Sequence, residues 1–289
     1  MKFGVIYPQI ELKGDPEAVR AIGLATEELG FDHLLVYDHL LGATHDREPK
    51  LMGPYTEKDP FHDPLVMFGY LAAITSRIEL VTGVIILPQR QTVLVARQAA
   101  DVDLLSGGRL RLGIGTGWNY VEYDALGEDF ATRGQRYSEQ IVLLRKLWGE
   151  ELVSFAGTFD RVDRAALIPR PKRQIPLWMG GYSHVALRRA AKLGDGFIFA
   201  DGLGDSFRKL ERLRQMLDEE GRDAGTFGLQ CNMLSAKGAD AVVERAQAWR
   251  DAGGSHVGVN TMGMGFATIG QHLAYVEEVR EALAKAGLM

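Results

Sequence analysis

Short apolar runs alternate with amphipathic helical patterns from one end of the chain to the other, and eight such pairs are present. The runs fall at residues 3–7, 33–37, 79–83, 110–115, 176–179, 197–200, 227–234 and 256–259. Helical periodicity follows them at 16–29, 63–74, 93–105, 134–148, after Ser183, and at 207–220, 239–252 and 269–286. Asp15 before Pro16 and Asp63 before Pro64 read as N-cap and N1 pairs, and Gly30 as a stop. Eight β/α units in 289 residues predict a closed parallel (β/α)8 barrel, in one domain spanning 1–289. A doubly wound open sheet is the competitor. It usually stops at fewer strands and carries a glycine fingerprint after its first strand, where this chain has Tyr7-Pro8-Gln9.

Three stretches break the rhythm: 40–62, 119–133 and 150–175. Each lies on the path from a strand's C-terminal end, so insertion loops are expected to crowd the face where barrel active sites sit, as lids, binding walls or oligomer contacts. Net charge is −5 with no Lys/Arg block, which gives a nucleic-acid or anionic-membrane surface no support. No apolar run reaches 18 residues, and the N-terminus enters a strand pattern without a signal core. The single cysteine, Cys231, lies in an apolar run and reads as a buried thiol in a reducing compartment. Together these point to the cytoplasm.

The second strand ends Tyr37-Asp38-His39. An Asp-His pair at a barrel strand's tip suits proton transfer, and only one of two adjacent side chains faces the axis. Asp38 has an alternative role as a loop anchor. The third strand runs on without a break through Thr82-Gly83-Val84 to Pro88, with glycine marking a bulge or a close approach. The fourth ends Gly113-Ile114-Gly115-Thr116-Gly117-Trp118, a backbone floor with an aromatic wall, although glycine for barrel closure explains Gly113 equally well. After the fifth strand, Gly180-Gly181-Tyr182-Ser183 opens a helix whose buried side takes Val185, Leu187, Ala190, Ala191 and Leu193. Free N–H groups and a positive dipole end there suit a phosphate, or the glycines serve turn geometry alone. The whole set describes a large, planar, phosphorylated ligand. The seven histidines show no metal-ligand spacing.

The chain resembles the bacterial luciferase-like flavin and deazaflavin oxidoreductases. The likeness rests on Glu28-Leu29-Gly30-Phe31-Asp32, Asp38-His39, Asp63-Pro64, Thr82-Gly83-Val84 and Arg97-Gln98-Ala99-Ala100 with Asp103 to Arg109. It continues through Gly115-Thr116-Gly117-Trp118 and Gly180-Gly181 to Asp195-Gly196. Within that family, Gly117-Trp118-Asn119, Glu122, Arg133-Gly134 and Arg136 resemble the deazaflavin-dependent branch. The resemblance implies a luciferase-like TIM barrel, a cytoplasmic homo-oligomer (commonly a dimer), a small organic substrate, and coenzyme F420, with FMN the alternative. It also implies a non-proline cis peptide at Gly83-Val84. Cofactor contacts would come from Asp38, Thr82, Gly83, Val84, Gly115, Thr116 and Trp118, with the ribityl phosphate on Gly180, Gly181, Tyr182 and Ser183. His39 and Asp38 would stand at the reactive edge, and no metal is involved.

Arg47, Lys50, Arg90, Arg170, Lys172 and Arg173 lie in candidate rim loops, either facing an anionic cofactor tail or as solvated charges. The expected chemistry is hydride transfer at C5 of F420, with His39 balancing the proton. The rivals are an FMN-dependent monooxygenase fed by a separate flavin reductase, a non-catalytic flavin-binding protein, and a sugar-phosphate isomerase. The last leaves the glycine-bearing strand ends without a role, and no clear sugar-phosphate pocket is legible.

Overall fold

The computed structural model describes residues 1–202 and 205–289. In chain order the first elements are β1 (Lys2–Ile6), α1 (Pro16–Glu28), β2 (His33–Val36), α2 (Pro64–Ile74), β3 (Glu79–Thr82) and β4 (Ile85–Ile86). A 3-10 turn, Leu87–Gln89, precedes α3 (Thr92–Leu105), β5 (Leu110–Gly115), α4 (Tyr120–Ala125) and α5 (Arg133–Gly149). Next come β6 (Val153–Ala156), β7 (Arg161–Ala165), β8 (Leu177–Gly180), α6 (His184–Leu193), β9 (Gly196–Ala200) and α7 (Ser206–Glu219). The chain closes with β10 (Gly228–Met233), α8 (Ala239–Asp251), β11 (His256–Val259) and α9 (Ile269–Lys285).

Every barrel pairing is parallel. The order β3-β2-β1-β11-β10-β9-β8-β5 closes through β3 onto β5, so the expected (β/α)8 TIM barrel of eight strands is what forms. Three features were not legible in the pattern. The third strand does break, at Gly83-Val84, whose peptide bond is cis, and it resumes as β4 against β5. The insertion 119–133 contains α4, and 150–175 contains the antiparallel hairpin β6–β7.

Alternation along the strands divides the core in two. Outward residues such as Phe3, Val5, Leu34, Val36, Leu80 and Leu112 meet the helices, while Ile6, Leu35, Val81, Trp178 and Ile198 fill the barrel itself. Each fully buried Leu, Ile or Phe contributes about 1.5–3 kcal/mol. The lower end of the barrel is polar but packed. Trp178 occupies the space that Gly196 and Gly228 leave free, and the Arg111 guanidinium lies 4.1 Å over its ring. Arg111 also donates to Gln230 Oε1 (2.8 Å) and pairs with Glu79 (3.2 Å). Burial pulls the Arg111 pKa down to about 10 against the pull of Glu79. His33 packs on Gly4, and His256 meets Trp178 edge-on at 4.8 Å.

Several acids in the quoted motifs hold this scaffold together. Asp32 accepts the Phe3 N–H, and Asp103 binds Arg173 and the Leu110 N–H. Asp195 receives both Arg145 and the Leu177 N–H. Cys231 is buried, and burial pushes its thiol up to about 12. Among the described residues no helix is long and apolar enough to cross a membrane.

Candidate active site

At the upper end of β2 the alternation turns Tyr37 into the barrel, where it packs on the inner apolar cluster, and Asp38 away from it. Asp38 is 3% exposed, and both its oxygens are engaged. One accepts the Ile86 N–H (3.0 Å) and the other Arg90 Nη2 (2.8 Å). Arg90 Nη1 then reaches Asp63 (3.0 Å), which also caps α2 through the Leu65 and Val66 N–H groups. Burial works against the Arg90 charge, but Asp38 and Asp63 hold its pKa above the ordinary value. The sequence suggests proton transfer for Asp38; the geometry makes it an anchor tying β2 to β4, its alternative role.

His39 is different. Its side chain is 10% exposed, and Nδ1 lies 3.0 Å from Glu122 Oε1. That oxygen also accepts the Leu40 and Leu41 N–H groups (3.0 and 3.3 Å), while Oε2 accepts Gln89 Nε2 (2.9 Å). Burial alone would raise the Glu122 carboxyl, yet the bonds from His39, Gln89 and the Leu41 N–H hold it below the usual range. A carboxylate facing Nδ1 assigns the proton to that nitrogen and leaves Nε2 for the site. Tyr55, Phe61 and Trp118 surround the imidazole with ring centroids at 5.3, 4.9 and 5.3 Å.

Glu122 is the residue that motif reading undervalues. Asn119 caps α4 by accepting the Val121 N–H (3.1 Å), and its amide donates to the Leu41 carbonyl (3.2 Å). Asn-x-x-Glu at a helix start has the spacing of a capping box. Here the carboxylate instead crosses to the end of β2, a contact between residues 83 positions apart.

The glycine-bearing strand ends meet the chain itself. Thr82 is fully buried and donates to the Gly113 carbonyl (2.6 Å), so it stands behind the site wall. A Cβ on Gly113 would meet the Thr82 carbonyl, and one on Gly83 the Leu35 side chain. Val84 sits against the open sides of Gly115 and Gly180, 2.6 and 2.9 Å from where their Cβ atoms would lie. The glycines read as a bare floor for a ring are therefore partly spent on seating Val84, which becomes part of that floor. Thr116 is half-buried with its carbonyl on the Tyr123 hydroxyl (2.6 Å), and Trp118 packs over Gly53.

At the end of β8, Gly181 adopts φ +146° and Ser183 caps α6 by accepting the Ala186 N–H (3.2 Å). The first-turn N–H groups of a helix have no intrahelical acceptor, so the turn presents donors at the barrel mouth. Tyr182 is 56% exposed, and Val185, expected on the buried side of α6, is 61% exposed. Burial, then the nearby Tyr55 and Tyr182, push the Tyr37 hydroxyl well above the ordinary tyrosine range against an Asn232 hydrogen bond. Three of the six suggested rim cations have other work: Arg90 is paired inside, Arg170 reaches the Gly149 carbonyl, and Arg173 ties Asp103 of α3 to the Leu110 carbonyl at the start of β5. Arg47 lies in the 40–62 segment, over the Tyr120 ring.

Cavities of about 360 Å³ beside α3 and β7 and about 240 Å³ under the barrel lie away from these residues. The strand ends, where converging polar groups are found, are the better candidate.

Comparison with known proteins fits this arrangement. A family model described as luciferase-like monooxygenase matches residues 1–288. A Mycobacterium tuberculosis protein of unassigned function is 31% identical over 223 residues, covering 74% of this chain and 75% of the relative. An F420-dependent glucose-6-phosphate dehydrogenase of Segniliparus rotundus is 32% identical over 221 residues, 73% of this chain and 62% of the relative. Two solved structures share the fold. Monooxygenase RslO1 from Streptomyces bottropensis has TM-score 0.82 at 19% identity, covering 99% of both chains. An F420-dependent secondary alcohol dehydrogenase has TM-score 0.77 at 17% identity, covering 98% of both. The chain belongs to the luciferase-like monooxygenase family.

Proposed function

We propose that the protein is an F420-dependent oxidoreductase, moving hydride between C5 of the deazaflavin and a small organic substrate. The observation that carries this reading is His39, fixed by Glu122 at 3.0 Å and walled by three aromatic rings at the barrel mouth. The Gly180-Gly181-Tyr182-Ser183 turn suits the cofactor's phosphate, and Val84, Gly115, Thr116 and Trp118 suit one side of its ring. Asp38, Thr82 and Gly83 support that wall from behind. F420, when bound, supplies a two-electron hydride carrier. His39 Nε2 gives or takes the balancing proton, Glu122 keeps Nδ1 protonated, and the aromatic lid excludes water. The F420-dependent relative supports the choice of cofactor.

FMN-dependent monooxygenation, with a separate flavin reductase, is the second reading, favoured by the description of the matching family model. A cytoplasmic homodimer belongs to the same proposal. Val66 and Tyr70 are exposed on α2 while Leu65, Met67, Phe68 and Leu71 are buried, and a helix apolar all round is suited to being covered by a second copy.

The test is a binding titration with F420 and FMN side by side, followed by turnover of His39→Ala. Tight F420 binding is expected, with turnover lowered about 10²-fold or more and cofactor affinity retained. Submicromolar FMN binding with none for F420 would shift the assignment to the second reading, and unchanged turnover would remove His39 from the mechanism.

A further inference from the structure

A chain of buried amides runs up the inside of the barrel, and an arginine at its foot fixes which way each one points. Arg111, on β5, crosses the interior to β10, where its Nη1 donates to Gln230 Oε1 at 2.8 Å. A guanidinium can only donate, so the Gln230 carboxamide turns its oxygen to Arg111 and its nitrogen the other way. That nitrogen donates to Asn232 Oδ1 at 2.8 Å, two residues further along the same inward face of β10. Gly258 leaves room for the Asn232 oxygen, since a Cβ there would lie 2.5 Å from it. With Oδ1 taken, Nδ2 is the Asn232 group left to meet the Tyr37 hydroxyl. Arg111, Gln230 and Asn232 are all buried, so bulk water offers them no competing partner. Tyr37 stands at the upper end of this chain, half-buried, with its ring on the inner cluster beside Leu234 and Met262. The hydroxyls of Tyr123 and Tyr137 donate to the Thr116 and Ile114 carbonyls (2.6 and 2.9 Å). Among the described residues the Tyr37 proton meets no such carbonyl. Tyr37 and His39, two residues apart at the end of β2, turn to the same side, and Tyr55 lies near both.

We propose that Tyr37 is a ligand-binding donor of the candidate site: its oxygen accepts from Asn232 and its proton is directed to a carbonyl oxygen of a bound ligand, with Arg111, Gln230 and Asn232 as positioning residues. The proposal rests on the reading of the barrel mouth as the ligand site given above. The order of donors is set from the charged end, so every link passes its hydrogen upward and the phenol passes its own to the ligand. Burial keeps the hydroxyl protonated at neutral pH, so Tyr37 serves as a donor and not as a base. The accepting oxygen is a ring carbonyl of the cofactor or a carbonyl of the substrate, and the same geometry meets either.

The test titrates the protein, isotopically labelled at tyrosine Cζ, with F420, FMN and cyclohexanone as a plain carbonyl probe. Cyclohexanone is added both to the free protein and to the protein saturated with whichever cofactor binds. The Tyr37 signal is the one missing from Tyr37→Phe. It is expected to move with at least one ligand, and Tyr37→Phe is expected to weaken that ligand about three- to tenfold, as for one neutral hydrogen bond, with the melting temperature little changed. A loss for a cofactor identifies a ring carbonyl as the acceptor, and a loss for cyclohexanone a substrate carbonyl. Asn232→Asp puts an acceptor where the amide donates, so it captures the Tyr37 proton. It is expected to weaken the same ligand by a similar factor, and the double variant no more than either alone, whereas independent structural damage would add. If Tyr37→Phe does not fold, the loss in Asn232→Asp decides. Unchanged affinity for every ligand, no binding of any of them, or additive losses would overturn the proposal. Failure of F420 and FMN alone, with cyclohexanone bound and weakened as expected, would overturn the cofactor reading and leave Tyr37 in place.

Discussion

Glu122 does three jobs with one carboxylate: it orients His39, closes the Leu40–Leu41 turn and takes the Gln89 amide. Replacing it by Gln keeps the volume but removes the charge and one acceptor oxygen. Glu122→Gln is expected to lower kcat by roughly 10–100-fold, with KM and cofactor affinity nearly unchanged, because the lost interaction orients the proposed proton carrier. A purely structural role for Glu122 predicts a lower melting temperature and an unaltered pH–rate profile, so both are measured together. His39 was visible in the sequence because an imidazole at a strand tip has few bland explanations. Glu122 stands in the family-like run, but its pairing with His39 was not legible, because its partner lies far along the chain and its spacing from Asn119 mimics a cap. For Asp38 the sequence left proton transfer and loop anchoring open, and strand alternation sends its side chain to Arg90 and the Ile86 N–H.

At the scale of elements, strands and helices were legible because apolar period and capping pairs agree. The exceptions lie where tertiary contacts override the local pattern. β4 reads as a continuation of β3, yet Gly83-Val84 redirects the chain so that Val84 lies against Gly115 and Gly180. α4 and the β6–β7 hairpin are short elements in polar stretches, where periodicity has too few turns to register. The β8–α6 turn offers a clean test. Gly181 holds a backbone angle that L-residues rarely adopt, and an added methyl would approach Ala186 Cβ at 2.9 Å. Gly181→Ala is expected to cost about 1–3 kcal/mol of stability. It is also expected to weaken binding of the proposed phosphorylated cofactor at least about tenfold, read by melting and titration. Retained affinity would take the turn out of the phosphate site.

Across the whole molecule, buried neutral histidines make the fold sensitive to acid. Burial, with Arg111 close by, holds His33 well below the ordinary histidine value and takes His256 down to about 2. Burial takes His272 to about 4. Below about pH 6.5 the unfolded chain therefore binds protons that the folded chain refuses. The stability these groups allow is present above that pH and is lost as pH falls toward the folded values. Each fully differing group costs about 1.4 kcal/mol per pH unit. Glu27, lowered to about 2 by the Arg77, Ile78 and Ser76 N–H groups despite its burial, adds a further loss between about pH 4.5 and 2. Melting temperature is expected to fall steeply from pH 7 to 5, and a flat profile would show that these histidines already exchange protons in the fold. The packed layer of Trp178, Arg111, Gln230 and His33 has one more consequence. Among the described residues it fills the lower end of the barrel, so a cofactor and substrate bound as proposed would both enter from the strand ends. On that proposal the ligand lying deeper would have to arrive first and leave last, and turnover would be a queue with a compulsory order rather than two independent exchanges.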